Sequence, residues 1–195
     1  MSLESPPNSP TNKALLVIDY INEIVAPEGK LAAKGYAAFI KEHNTYSKLN
    51  KVIASFKDTG SPVIFIGVSF AIDYANQPKS SPLFGKAHDL GILAENTWST
   101  QIYESIAYDK AGDTRLTKTR VSAFHNTELL TILRTNNITD VYLAGVATDL
   151  AVLSTALDAH DHDFTVFIVA DACAAASNDD HNNALRTLKK VAGII

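Results

Sequence analysis

The sequence predicts a doubly wound α/β domain, a mainly parallel sheet with helices on both faces and a Rossmann-like layering. Three observations predict it. Four runs, 14–18 (ALLVI), 62–68 (PVIFIGV), 141–145 (VYLAG) and 164–169 (FTVFIV), are apolar at successive positions, as suits strands covered by helices on each side. Segments with apolar residues at helical spacing lie between and after them, which is the strand–helix order of a parallel sheet. Asp19 and the turn 145–149 fall at the carboxyl ends of two runs, the edge at which open α/β sheets bind ligands.

Residues 1–12 include the string SLESPPNSP and lack the basic and apolar regions of a signal peptide, so they read as a flexible Pro/Ser arm. The remaining 13–195 read as a single domain, because 195 residues with 46% hydrophobic content support one core. After the first strand, Leu49, Val52, Ile53 and Phe56 form a helical stripe that leaves Lys48, Asn50, Lys51 and Ser55 off it. The string DTGSP at 58–62 ends that helix and starts the second strand. Residues 69–107 fit neither period, and carry Pro78, Pro82, Gly85 and Gly91 among the aromatics Tyr74, Phe84 and Trp98. An irregular stretch of this length is either a binding wall or lid, or a surface excursion that packs on a neighbouring subunit. Leu129, Ile132 and Leu133, then Leu150, Leu153 and Leu157, then Leu185 and Leu188, mark three further helices.

A net charge of −4 argues against nucleic acid or an anionic membrane as the main partner, and no uncharged run is long enough to span a bilayer. The single cysteine, Cys173, forms no internal disulfide and fits a reducing, cytoplasmic compartment. The first strand runs into IDYINEIV rather than a Gly-x-Gly-x-x-Gly turn, so no dinucleotide cofactor is implied.

Three segments carry candidate chemistry, and each has an ordinary reading when taken alone. Asp19, at the end of the first strand, would usually be a cap or turn residue. Lys118, within LTKTRVSAF at 116–124, would usually be a solvated surface group. GVATDLAVL at 145–153 could be any strand-to-helix connection. Taken together, these segments resemble the isochorismatase-like (cysteine) hydrolases. LTKTRVSAF is the most specific piece, and GVATDLAVLSTALDAH followed by VADACAAAS continues the likeness over about 13–188.

The resemblance implies an isochorismatase-like hydrolase fold, a small-molecule substrate and a homo-oligomer, either dimer or tetramer. It implies Asp19 as general acid/base and Lys118 as its charged partner, meeting within salt-bridge distance beside Ala151. It also implies a cis peptide bond between Val146 and Ala147. The position of the family's cysteine nucleophile is occupied by Ala151. With Thr148 as N-cap, that position lies in a first helical turn, where free N–H groups and the helix dipole would favour a thiolate and a tetrahedral oxyanion. An alanine methyl has no lone pair and no proton to give, so covalent catalysis from this position is excluded. Cys173, in a DACAA segment, reads as packing.

Other departures narrow the reading. The family's glutamine after the strand aspartate is absent, since Tyr20 and Ile21 follow Asp19. The Asp-x-His of its metal-binding members is matched only by Asp73 and the distant His88, so no metal site is expected. The string 158–163 (DAHDHD) reads as a solvated helix end rather than a metal cluster.

Isochorismatases within the family cleave a vinyl ether without covalent catalysis and carry glycine at the nucleophile position. Gln77-Pro78 resembles a substrate-contacting Gln-Pro in them. Their turn tyrosine aligns with Ala147, and their carboxylate-binding arginine has no match near 90–93. The expected substrate contacts are therefore Ala147, Gln77 and Trp98, in a non-covalent hydrolase of vinyl-ether type. The alternatives are a catalytically silent binding member and an engineered cysteine-to-alanine form of a cysteine amidase.

Overall fold

A computed structural model describes residues 12–195 of the chain, so all but the last residue of the expected N-terminal arm lies outside the described residues. Six parallel strands form one sheet: β1 (Lys13–Ile18), β2 (Val63–Val68), β3 (Thr114–Lys118), β4 (Asp140–Gly145), β5 (Thr165–Ile168) and β6 (Gly193–Ile194). Their order is β3-β2-β1-β4-β5-β6. β1 pairs on one side with β2 (Leu16 opposite Ile64) and on the other with β4 (Leu16 opposite Leu143). The chain winds outward from β1 through β2 to β3, then returns to the far side of β1. The crevice beyond the ends of β1 and β4 is therefore the topological switch point, where such sheets place their ligands.

Side chains alternate across the strands, so each face acquires its own core. Leu15, Val17 and Phe65 pack against Phe39 and Ile40 of α2 (Tyr36–His43) and Leu49, Ile53 and Phe56 of α3 (Thr45–Asp58). Leu16, Ile18, Ile64 and Leu143 pack on the other face against Leu129 and Leu133 of α5 (Leu129–Thr135). Ala156 of α6 (Leu153–Asp161) and Leu188 of α7 (Asn178–Leu188) complete that second core. Two further helices are single turns, α1 (Asn22–Val25) and α4 (Ala87–Leu90). Among the described residues no helix is long and apolar enough to cross a membrane.

The structure adds two strands that the apolar runs do not announce. β3 is an edge strand, and Thr114, Arg115 and Thr117 are exposed, so its sequence TRLTK carries no apolar run. β6 has two residues on the opposite edge. The irregular 69–107 segment holds only α4 and a 3-10 turn, Trp98–Thr100, yet it is packed, with Phe70, Tyr74, Phe84, Ile92 and Leu93 buried.

Gly145 ends β4 where the chain must pass close to β1. A Cβ added there would lie 2.9 Å from the Ile18 Cβ and 3.0 Å from both the Ile18 carbonyl oxygen and the Val152 side chain. Gly145→Ala is expected to destabilise the protein by about 1–3 kcal/mol, as overpacking of a dense core does. Urea unfolding checks this, with the loss read as a lower midpoint at unchanged slope.

Candidate functional site

β1 ends in a residue with a left-handed backbone. Asp19 has φ 59°, a conformation that aspartate tolerates better than most side chains. Its N–H donates to the Ile66 carbonyl, and the Val68 N–H donates to Asp19 Oδ1 at 2.8 Å. Asp19 Oδ2 meets Lys118 Nζ at 2.7 Å. Three parallel strand ends thus converge, since β2 supplies the amide, β1 the carboxylate and β3 the lysine.

Both charged residues are buried, with Asp19 3% and Lys118 1% exposed. Lys118 Nζ also donates to the carbonyls of Arg120 (3.1 Å) and Val121 (2.9 Å). With Asp19 that makes three acceptors, matching the three N–H groups of an ammonium. Burial raises the Asp19 pKa above its usual carboxylate value, against the opposing pull of Lys118 and the Val68 N–H.

The pair opens into a cavity of about 90 Å³ whose lining is mostly apolar. Val146, Leu150 and Ala151 form one side, Phe84 and Leu93 from the irregular segment another, and Lys34 and Tyr36 also border it. Of these, Lys34 is exposed and places a cation at the mouth. The peptide bond between Val146 and Ala147 is cis. Beyond it lies a π-helical turn, Thr148–Val152, whose N-cap is Ala147 rather than the expected Thr148. The Thr148 hydroxyl is engaged elsewhere, 2.8 Å from His181 Nδ1, which is why it caps nothing.

The structure brings Asp19, Lys118 and Ala151 to one cavity and sets the three expected substrate contacts apart from it. Ala147 is buried in the turn, and its neighbour Val146, not Ala147, faces the cavity. Gln77 is buried and its Nε2 donates to the Phe84 carbonyl at 2.7 Å; it borders a separate groove with Asp73 and His88. The backbone of Trp98 is tied to α1 through Asn22, whose amide donates to its carbonyl at 2.9 Å. Trp98 is 46% exposed and borders another groove beside Ala26 and Glu28. Sequence reading missed Lys34, Tyr36, Val121 and Leu83, which border the cavity. Lys34 ends a short 3-10 turn, Tyr36 starts α2, and Leu83 and Val121 lie outside regular elements, so none carries a periodic signal pointing inward.

Cys173 is buried, and burial pushes its thiol pKa up to about 12. It faces the Leu143 carbonyl at 3.8 Å and is not among the cavity residues. Among the described residues, no group of three His, Cys, Asp or Glu side chains is placed to hold a metal ion.

Over residues 13–195 the chain matches the family model described as the isochorismatase domain. It is 32% identical over 142 residues to the uncharacterized isochorismatase family protein YecD of Escherichia coli O157:H7, covering 71% of each chain. It is 25% identical over 185 residues to an Arabidopsis thaliana protein named "Probable inactive nicotinamidase", covering 92% of this chain and 89% of that one. Among solved structures, the pyrazinamidase/nicotinamidase of Streptococcus mutans UA159 superposes with a TM-score of 0.77 at 30% identity, over 94% of this chain and 99% of that one.

Two outcomes follow from the geometry. Lys118→Met leaves Asp19 buried without its cation, and breaking such a pair costs about 3–5 kcal/mol. Because the orphaned carboxyl escapes that cost by binding a proton, its folded pKa rises further. The penalty is then small near the unfolded aspartate value and grows as pH rises through the folded pKa. Denaturant unfolding of wild type and variant from acid to neutral pH should show the gap widening, and a constant gap would contradict it. Separately, native Cys173 should resist iodoacetamide at mildly alkaline pH and label only on unfolding, as mass spectrometry can follow.

Proposed function

This chain belongs to the isochorismatase family of hydrolases, and we propose that it hydrolyses a small molecule by non-covalent acid–base chemistry centred on Asp19. The observation that carries the reading is the buried Asp19–Lys118 pair in a cavity where the nucleophile's place holds Ala151. With a methyl there and Cys173 buried at a pKa of about 12, proton transfer, charge stabilisation and positioning are the available devices.

Vinyl-ether hydrolysis suits them. Asp19, its pKa raised by burial, protonates the terminal alkene carbon, and the ether oxygen stabilises the resulting oxocarbenium ion. Water then adds to that cation and returns a proton to the Asp19 carboxylate. The hemiketal collapses to a carbonyl compound and releases the alcohol. Lys118, held by its three acceptors, stabilises the carboxylate that forms in the first step.

The cavity limits the substrate. About 90 Å³ is far below the roughly 300–1,000 Å³ of sites for drug-sized ligands. Small vinyl ethers such as 2-methoxyacrylate therefore come before isochorismate in a substrate panel. The reading extends to a cytoplasmic homo-oligomer, dimer or tetramer, in keeping with the family resemblance. A silent binding member is the second reading, favoured by Ala151 itself and by the similarity to the Arabidopsis protein whose name includes "inactive".

Steady-state assays on the panel decide between them. Wild type is expected to turn over a vinyl ether with modest enhancement, since general acid–base catalysis contributes about 10²–10⁴-fold. Asp19→Asn should abolish turnover, Lys118→Ala should weaken it and move its pH profile, and Cys173→Ser should leave it nearly unchanged. A trapped thioester, or full activity in Asp19→Asn, would overturn the mechanism. Tight binding without turnover across the panel would establish the silent member.

A further inference from the structure

Thr148 is completely buried, and its hydroxyl has His181 as its one hydrogen-bond partner among the described residues, at 2.8 Å. Its N–H donates to the Ala174 carbonyl at 2.8 Å. The residue is therefore clamped from two sides at the point where β4 passes into the turn carrying Leu150 and Ala151 to the cavity. The side-chain half of the clamp comes from α7, whose N-cap Ser177 accepts from the Asp180 N–H. The His181 ring lies 5.2 Å from Phe39, and Phe39 lies 4.2 Å from His43, whose Nε2 meets Asn178 Oδ1 at 2.8 Å. α2 and α7 thus grip each other around the imidazole that holds the turn.

We propose that His181 is a positioning residue: through Thr148 it holds the 148–151 turn against the cavity, and a doubly protonated ring releases that hold. A neutral ring with its hydrogen on Nε2 accepts the Thr148 hydroxyl proton at Nδ1. A protonated ring carries its own hydrogen there, so Thr148 would have to accept and point its proton at no acceptor in a buried site. The inference rests on the proposed function only for what the turn does to a substrate; the hold on the turn is a property of the protein alone.

The surroundings agree with a neutral ring. Burial, and then His43 on α2, lower the His181 pKa, while Asp171 and Asp149 raise it. Asp171 is itself paired with Lys48 of α3 at 3.3 Å. Asp149, beside Thr148, has a raised pKa from burial and a buried Oδ1 with no hydrogen-bond partner. Asp180, on the same helix as His181, accepts from the Ser177 hydroxyl at 2.6 Å. The sign follows. A histidine whose folded pKa is depressed contributes stability that is complete above its unfolded value and is lost as pH falls through the folded one.

The test is a titration of the ¹⁵N-labelled full chain by NMR from about pH 8 to pH 5, across the imidazole range. In wild type, the Leu150 and Ala151 amide shifts should follow the titration of the His181 ring. Thr148→Val, which keeps the shape and removes the hydroxyl, should uncouple them. His181→Ala should speed hydrogen exchange of those amides by up to about tenfold, the loss expected of one hydrogen bond. His181→Asn, whose side-chain oxygen can take the Thr148 proton, should restore slow exchange. Amide shifts that ignore the ring, or an Asn variant that exchanges like the Ala variant, would overturn the proposal. The wild-type titration and Thr148→Val decide the matter even if His181→Ala does not fold, and neither needs a substrate.

Discussion

An ion pair removed from water at the end of a sheet constrains the rest of this structure. Taking two charges into an apolar interior costs several kcal/mol per ion unless geometry and hydrogen bonds return it. Here the return is assembled from strand ends. The Val68 amide reaches Asp19, and the Arg120 and Val121 carbonyls complete the ammonium of Lys118. A parallel sheet is well suited to this, because all its strands finish at one edge and their next residues converge. The left-handed backbone of Asp19 belongs to the same arrangement, since it turns the chain away while the carboxylate stays over β2.

In the mechanism proposed above, Ala151 changes what that pair is for. A thiolate at this position would be the reacting group, with Asp19 taking its proton. In the proposed mechanism Asp19 instead gives and regains the proton itself, and its raised pKa suits giving one. Cys173 does not compensate. A thiol with a pKa of about 12, buried off the cavity, is neither ionised nor placed for attack.

The sheet's centre and the charged pair were legible in the sequence for different reasons. β1, β2 and most of β4 are covered on both faces, so burial wrote itself as continuous apolar runs, and β5 keeps an apolar run although one of its faces is partly open. Asp19, Lys118 and Ala151 were found by a likeness among three distant segments, and periodicity alone would have left each as a cap, a surface lysine and a packing residue. β3 escaped because an edge strand is partly solvated and needs no apolar run. Lys34 and Tyr36 escaped because they border the cavity from a short 3-10 turn and the start of α2, where no pattern points inward. The Thr148 cap was misjudged for a tertiary reason: a half-buried imidazole thirty-three positions away took the hydroxyl that local sequence assigns to its own helix.

Gln77 shows how a residue carried over by likeness can fall one layer behind the place expected of it. Its amide does not face the cavity; it holds the Phe84 carbonyl, and Phe84 is the side chain that faces the cavity. The neighbouring bonds have the same sense. The Tyr74 hydroxyl donates to the Ile92 carbonyl at 3.0 Å, and the Leu93 N–H donates to the Ser99 hydroxyl, so the peptide group before Leu93 is held at both its oxygen and its N–H. Polar side chains of the 69–107 segment are thus spent on its own backbone, and that is what lets a stretch with almost no regular structure present a firm apolar wall. An irregular segment without such bonds would leave buried backbone groups unpaired. The amide of Gln77 therefore shapes the cavity through Phe84, and the charged groups that border the cavity itself are Asp19, Lys118 and Lys34.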